Sequence, residues 1–230
     1  MLAQKLGIIR QEINKSIENS HLRASPPQIL AASKGQGVET IEKAILAGIT
    51  LFGENRVQEA YEKWPAIQQA HPAVKLHLIG PLQTNKVKQA LGLFDCIQTL
   101  DRPRLAEEIK RVWGVGCGVS GDKPQKLNPD TRLFIQVNTG EEQQKAGVFP
   151  RDADDFIRYC KNELKLPVTG LMCIPPAGDV PAPHFALLRQ IATSHGLNEL
   201  SMGMSGDYAV AARMGSTIVR IGTKLFGERP

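Results

Sequence analysis

Hydrophobic positions in this chain follow two periods, one helical and one strand-like. The helical period comes first and predicts an amphipathic helix from Leu2 to about Asn19. Its apolar face consists of Leu6, Ile9, Ile13 and Ile17. Ser25-Pro26-Pro27 ends this helix, and the short apolar run Ile29–Ala32 predicts a strand buried on both faces.

Strand-like and helical segments then alternate to the C-terminus. The predicted strands are Ile29–Ala32, Thr50–Gly53, Lys75–Gly80, Asp95–Thr99, Arg132–Asn138, Val168–Ile174, Glu199–Met202 and Thr217–Gly222. The predicted helices and turns are Val38–Leu46, Glu54–Trp64, Thr84–Leu91, Asp101–Trp113, Asp152–Glu163, His184–His195, Gly206–Met214 and Thr223–Phe226. Thr84 and Asp101 are expected to cap their helices.

About eight strands alternating with helices predict a (β/α)8 barrel, a TIM barrel, with an additional N-terminal helix. No linker divides the chain, so we expect one domain over residues 1–230. A doubly wound sheet is the structural alternative. It is expected to carry a G-x-G-x-x-G turn after its first strand, and the sequence has none there.

Composition is that of a soluble globular protein, with 42% hydrophobic and 22% charged residues. The sequence has no signal-peptide pattern and no apolar run long enough to span a bilayer, so we expect a cytoplasmic protein that does not contact membranes. The net charge of +5 suits an anionic ligand. Nucleic acid is not expected as a partner, because the basic residues are spread out and no RNP or zinc-finger pattern occurs.

The four cysteines, Cys96, Cys117, Cys160 and Cys173, form no C-x-x-C pair and predict reduced, mostly buried thiols. Segment Gly114–Pro129 is rich in Gly, Pro, Asp and Lys, which predicts a surface insertion. Cys117 lies within it, and nothing in its surroundings marks it as reactive.

Chemistry-bearing residues gather where the predicted strands end, on the face where barrel proteins carry their sites. Lys34 comes directly after the first strand. Two interpretations are open for it: a solvated lysine that starts a loop, or a desolvated amine that forms a Schiff base. Turns with glycine and hydroxyl residues follow the last two strands, at 201–205 and 220–223, the usual phosphate site of such barrels.

A lysine on the first strand that faces a phosphate site suggests pyridoxal phosphate, held through an aldimine at one end and the phosphate at the other. Arg220 would then point at the pyridine nitrogen. Because arginine only donates hydrogen bonds, that nitrogen would stay unprotonated and the ring would be a weak electron sink. The alternative is that Arg220 pairs with a carboxylate such as Glu54 or Asp207.

Six motifs, in this order, resemble the pyridoxal-phosphate homeostasis protein family, the single-domain relatives of the alanine racemase barrel. They are LAASKG (Leu30–Gly35), FGENRVQEA (Phe52–Ala60), LHLIGPLQTNK (Leu76–Lys86), QVNTGEEQQKAG (Gln136–Gly147), GLMCIPP (Gly170–Pro176) and LSMGMSGDYAVAARMGSTIVRIGTKLFGERP (Leu200–Pro230). The chain departs from the family at Arg56, where a tyrosine is frequent, and at Gly206, where an acidic residue is frequent. The insertion near Cys117 is not part of the shared pattern.

The resemblance implies an alanine racemase N-terminal domain-like TIM barrel that binds pyridoxal 5′-phosphate as an aldimine at Lys34. It implies phosphate contacts from Ser201, Gly222 and Thr223, and Arg220 at the pyridine nitrogen. The other implied cofactor contacts are Asn55, His77, Ile79, Met172 and Met204. No metal is implied.

His77 shares the predicted inward face of Ile79. The alternative for it is a core histidine bonded to a backbone carbonyl, since buried polar groups usually find such partners.

By the same resemblance, we expect a carrier that serves vitamin B6 homeostasis without fast turnover, and apo-enzymes that use the cofactor as its recipients. The alternative is an amino-acid racemase, which needs a second base from a tyrosine in an extra β-domain; we expect no such domain, because the chain ends at Pro230. Its own tyrosines, Tyr61, Tyr159 and Tyr208, lie in predicted helices. A sugar-phosphate enzyme would not explain the lysine and the arginine together. We expect a monomer.

Overall fold

Eight parallel strands close into a barrel in chain order, and β8 pairs with β1 to complete the ring. The computed structural model describes residues 1–18, 20, 25–115 and 127–227. The strands are β1 Gln28–Ala32, β2 Leu51–Glu54, β3 Lys75–Leu78, β4 Cys96–Leu100, β5 Arg132–Val137, β6 Val168–Cys173, β7 Glu199–Ser201 and β8 Ile218–Ile221. The prediction of a (β/α)8 barrel is therefore confirmed.

Helices alternate with these strands along the described chain. They are α1 Leu2–Ile17, α2 Val38–Leu46, α3 Val57–Ala70, α4 Val87–Leu93, α5 Pro103–Val115, α6 Pro150–Arg158, α7 Pro181–Ser194, α8 Tyr208–Arg213 and α9 Thr223–Phe226. A 3-10 turn, Thr84–Lys86, precedes α4, and a π-helical turn, Tyr159–Glu163, extends α6. No helix in the described residues is long and apolar enough to cross a membrane.

Two apolar clusters hold the fold together. The larger one lies between strands and helices, and it includes the buried face of α1 that the helical period predicts. The smaller one contains strand residues alone, with Ile79 packed against them, and it fills the inside of the barrel. Its members are Leu30, Leu51, Cys96, Phe134, Met172 and Ile218.

Three sequence predictions need correction, each for a local reason. Glu54, predicted to start a helix, is the last residue of β2 and is fully buried. The helix α3 does not end at Trp64 but continues through Pro65 to Ala70, since the buried side chain of Ile67 keeps its last turn against the core. Thr84 makes no capping hydrogen bond, because it lies inside the 3-10 turn rather than before a helix.

Three of the four cysteines, Cys96, Cys160 and Cys173, are free and buried, as the sequence predicts. Burial raises the pKa of the Cys160 and Cys173 thiols to about 12, so neither is a reactive thiolate at neutral pH. Cys117 and most of the predicted insertion, 116–126, lie outside the described residues.

Replacing Gly80 with alanine should destabilise the fold, because a Cβ there would lie 2.2 Å from the backbone oxygen of Asn55 at the tip of β2. We expect a loss of about 1–3 kcal/mol in the free energy of unfolding, measured by urea denaturation. Gly7→Ala is the matched control: nothing lies within 4 Å of its Cβ in α1, so this change should stabilise by about 0.5–1 kcal/mol. Equal unfolding midpoints for the two variants would contradict this account.

Candidate functional site

Lys34 lies in the turn that leaves β1 at the C-terminal end of the barrel. The backbone N–H of Ser33 donates to the carbonyl of Gly53, so the pairing of β1 with β2 continues to the residue before the lysine. Gly35 follows with a φ of 71°, a conformation that glycine adopts without strain. Lys34 itself is half-buried. The lysine thus leaves the sheet at the face where barrel proteins carry their chemistry.

Arg220 is buried inside the barrel and is held by neutral acceptors. Its Nη1 donates to the carbonyl and hydroxyl oxygens of Ser201 at 2.7 and 2.8 Å, and Nη2 donates to the carbonyl of Cys173 at 2.8 Å. Burial lowers the pKa of Arg220, yet a guanidinium stays charged in proteins. No ion pair forms between it and a carboxylate in the described chain, so the predicted alternative of a pair with Glu54 or Asp207 is wrong.

A polar chain continues from Arg220 across the barrel interior. The Ser201 hydroxyl donates to Gln98 Oε1 at 2.6 Å, and Gln98 Nε2 lies 2.8 Å from His77 Nδ1. Because arginine can only donate, the Ser201 hydroxyl accepts from it and donates its own hydrogen bond to the amide oxygen of Gln98. The amide NH2 is then left to donate to His77. His77 therefore carries its own proton on Nε2.

His77 is fully buried, and burial lowers its pKa to about 3, helped by the positive charges of Arg132 and Lys75. It is neutral at physiological pH. Its Nε2 has no hydrogen-bond partner among the described residues. The alternative that His77 bonds a backbone carbonyl is not observed, because its partner is the Gln98 side chain.

The turns after β7 and β8 meet at the start of α9. The Ser205 hydroxyl accepts hydrogen bonds from the backbone N–H groups of Gly222 and Lys224, at 3.3 and 3.4 Å. Gly203 holds the first turn close to the second: its φ is 90°, and its carbonyl accepts from the N–H of Arg220 at 2.9 Å. Thr223 is exposed beside them. Backbone N–H groups and hydroxyls that converge in this way could hold an anion in place of the Ser205 hydroxyl that now accepts from them.

The remaining predicted residues line the space between Lys34 and these turns, or the barrel interior below it. Met172 belongs to the interior cluster, and Ile79 packs on it from the tip of β3. Asn55 is half-buried at the end of β2, and Met204 is 38% exposed in the turn after β7. Lys34, Asn55, Ile79, Met204, Gly222 and Thr223 thus follow the C-terminal ends of their strands, whereas His77, Met172, Ser201 and Arg220 lie within the strands.

Comparisons with known proteins agree with this architecture. The alanine racemase N-terminal domain profile matches residues 11–230. A pyridoxal phosphate homeostasis protein of Pasteurella multocida is 36% identical in an alignment 238 residues long, gaps included. The alignment covers 99% of this chain and 97% of that protein. The chain belongs to the pyridoxal phosphate homeostasis protein family.

Solved structures place this family member in the same fold. PipY of Synechococcus elongatus, solved with PLP bound, is 32% identical with a TM-score of 0.78, over 99% of this chain and 100% of that one. Without PLP, the same protein is 33% identical with a TM-score of 0.81. An alanine racemase of Clostridium difficile, 15% identical with a TM-score of 0.67, shares the fold over 96% of this chain and 56% of its own.

In this member of the pyridoxal phosphate homeostasis protein family, sequence reasoning missed Gln98 and Ser205. Gln98 is a polar residue within the apolar strand CIQTL, and its inward position could have been found from its two-residue spacing to Cys96. Ser205 closes the GMS turn before α8, a hydroxyl beside glycine like Ser201. The hydroxyl of Ser201, predicted at the phosphate, is engaged with Gln98 and Arg220.

Stability should depend on pH through His77. Between pH 6.5 and about 3, the unfolded chain binds a proton at this side chain that the folded chain does not, so the free energy of unfolding falls as pH falls. From pH 6.5 to pH 4.5 this amounts to about 2 kcal/mol. Urea denaturation at several pH values should therefore show a shallower pH dependence for His77→Gln than for the parent protein. Identical slopes would show that His77 is not held neutral.

Proposed function

We propose that this protein binds pyridoxal 5′-phosphate at the mouth of the barrel, as an aldimine with Lys34, and serves vitamin B6 homeostasis as a carrier. The observation that carries the proposal is that one barrel holds a lysine at the tip of β1 and a buried Arg220 that pairs with no carboxylate among the described residues. The names of the relatives and the PLP-bound PipY structure support it. We further propose apo-enzymes that need this cofactor as the recipients.

The residues at the mouth fit this cofactor. A phosphate suits the cradle of Ser205, Gly222 and Thr223, where main-chain N–H groups and hydroxyls converge at the start of α9. We assign the Ser201 hydroxyl to holding Arg220 rather than to the phosphate, since it already accepts from the guanidinium. The residues proposed to lie around the ring are Asn55, His77, Ile79, Met172, Met204 and Arg220.

Arg220 explains why holding the cofactor is favoured over turnover. When bound, pyridoxal phosphate supplies a reactive aldehyde and an electron sink whose strength depends on a protonated ring nitrogen. A guanidinium donates to that nitrogen and cannot protonate it usefully, because it does not give up its own proton. No carboxylate among the described residues pairs with Arg220 to change this balance. The site is therefore suited to reversible capture of an aldehyde.

The first test is absorption spectroscopy of the protein mixed with pyridoxal phosphate. Wild-type protein should show a visible band that borohydride abolishes, with the reduced adduct located on Lys34 by mass spectrometry. Lys34→Ala should lose the band and the adduct. Lys43→Ala is the control, since Lys43 is exposed on α2 and pairs with Glu39. A borohydride adduct of the same yield in Lys34→Ala would contradict the assignment.

The phosphate cradle is tested separately by Ser205→Ala and Thr223→Ala. Each removes one hydroxyl from the start of α9 and should increase the dissociation constant for pyridoxal phosphate about 5- to 10-fold, measured by dialysis, while the visible band of the bound form keeps its position. Pyridoxal, which lacks the phosphate, should bind wild type and both variants alike. Equal losses for pyridoxal would place these hydroxyls elsewhere in the site.

Amino-acid racemisation is the second candidate, because alanine racemases share the fold. It needs an acid or base opposite the lysine. Tyr208 is taken up by Glu12 and Lys224 on the outer side of the barrel, and Tyr159 donates to Glu107. We therefore expect no measurable racemisation of L-alanine by the cofactor-loaded protein, followed by circular dichroism. A turnover rate near 1 per second or above would favour the racemase instead.

A further inference from the structure

The turn that carries Lys34 accepts hydrogen bonds from the partly buried ammonium group of Lys63. Lys63 of α3 is only 11% exposed, and its Nζ donates to the carbonyls of Ser33 and Gln36, at 3.3 and 3.2 Å. The same Nζ lies 3.0 Å from Glu54 Oε1 and 3.0 Å from Glu59 Oε1. One side chain thus binds the backbone on both sides of the lysine.

Two carboxylates complete the attachment. Glu54 Oε1 accepts from the Ser33 hydroxyl at 2.6 Å and from Trp64 Nε1 at 3.1 Å. Glu59 Oε1 accepts from the backbone N–H of Gly35 at 2.7 Å. The residues before and after Lys34 are therefore each bound to a charged group of β2 or α3.

Core stability does not account for this cluster. Glu54 is fully buried, all its described donors converge on Oε1, and Oε2 has no partner among the described residues. A buried ion pair adds little net stability compared with apolar side chains of similar volume, and an unsatisfied carboxylate oxygen reduces it further. Buried groups left in this way require another reason.

We propose that Lys63, together with Glu54 and Glu59, is a positioning residue for Lys34. It fixes the backbone from Ser33 to Gln36, so that the amine of Lys34 is held in one position at the barrel mouth. This inference rests on the proposed function. Aldimine formation joins Lys34 Nζ to the aldehyde carbon, and the aldehyde oxygen leaves as water with the two amine protons.

Holding the amine in place should act mainly on the rate of that step. A positioned nucleophile reacts faster because its freedom is already restricted before the bond forms. Non-covalent binding of the phosphate and ring depends on the turns after β7 and β8 and on the ring residues proposed above, and the hydrogen bonds described for Lys63 go to none of them. Loss of the Lys63 contacts should therefore lower the rate of bond formation and leave the affinity for an unreactive analogue unchanged.

The test compares Lys63→Met with Lys63→Arg and with Lys43→Met. Lys63→Met removes the charge and keeps the apolar stem, whereas Lys63→Arg keeps a cationic donor. Lys43→Met is the matched control, since it breaks a Glu–Lys pair of the same i,i+4 spacing on α2 that does not touch the turn. The probes are pyridoxal phosphate in stopped-flow absorption and 4′-deoxypyridoxine 5′-phosphate, which lacks the aldehyde.

Lys63→Met should slow the appearance of the visible band at least tenfold and leave the dissociation constant of 4′-deoxypyridoxine 5′-phosphate within twofold of wild type. The Gly35 amide should exchange hydrogen faster in this variant, because its acceptor Glu59 is no longer held by Lys63. Lys63→Arg should recover most of the rate, and Lys43→Met should match wild type. If Lys63→Met proves unstable, Glu59→Gln is the substitute. It keeps an acceptor for the Gly35 N–H and removes one of the two negative charges that pair with Lys63.

A wild-type rate in Lys63→Met would overturn the positioning role and leave the proposed function intact. Parallel losses of rate, analogue affinity and melting temperature would also overturn it, since they indicate a structural role alone. Failure of wild-type protein to form the band while it binds the analogue would remove the covalent part of the proposed function, and the positioning role with it.

Discussion

A buried cation that pairs with no carboxylate in the described part of the chain determines the polar contacts inside this barrel. The guanidinium of Arg220 can only donate, so each group beyond it has one orientation open to it. Ser201 accepts from the guanidinium and donates to Gln98, and the Gln98 amide turns its NH2 to His77. A carboxylate in place of the Gln98 amide would interact with the positive charge of Arg220 through Ser201, and its negative charge would favour a protonated His77. The neutral amide adds no negative charge beside the guanidinium, and in the cofactor complex proposed above the electron-rich ring nitrogen would accept a hydrogen bond from Arg220.

Neighbouring residues of β2 serve the two faces of the barrel wall. Gly53 faces inward, where a Cβ would lie 2.4 Å from Leu30 Cδ2 and 3.0 Å from Ile79 Cδ1. Because glycine has no Cβ, these two side chains fit inside the barrel. Glu54 faces outward beneath α3, where it meets Lys63 and supports the turn of Lys34. The alternation of side chains along one short strand therefore shapes the mouth and also holds the turn that carries Lys34.

The fold could be predicted from the sequence because period-two and period-3.6 patterns alternate clearly, and because the C-terminal ends of parallel strands converge. That reasoning also places Lys34 and Arg220 at one mouth. It fails where burial overrides residue type: Glu54 is a charged residue that typically lies on a helix surface, yet it is buried with Lys63 and Trp64 bonded to its Oε1. The partners of Gln98 could not be predicted either, since His77 depends on the register of β3 against β4, and Ser201 lies 103 residues away in the sequence.

Capture and catalysis place different demands on a lysine at this position. Capture needs a fixed amine and an anion site, and the turn held by Lys63 and the cradle at Ser205 meet those needs with rigid, local contacts. Catalysis on an amino acid also needs a strong electron sink and a second proton-transfer group. In the proposed complex Arg220 would weaken the first, and His77, neutral and enclosed with its Nδ1 bonded to Gln98, is poorly placed to supply the second. The contrast between these two pairs of demands supports the proposed role in reversible storage of an aldehyde over its chemical use.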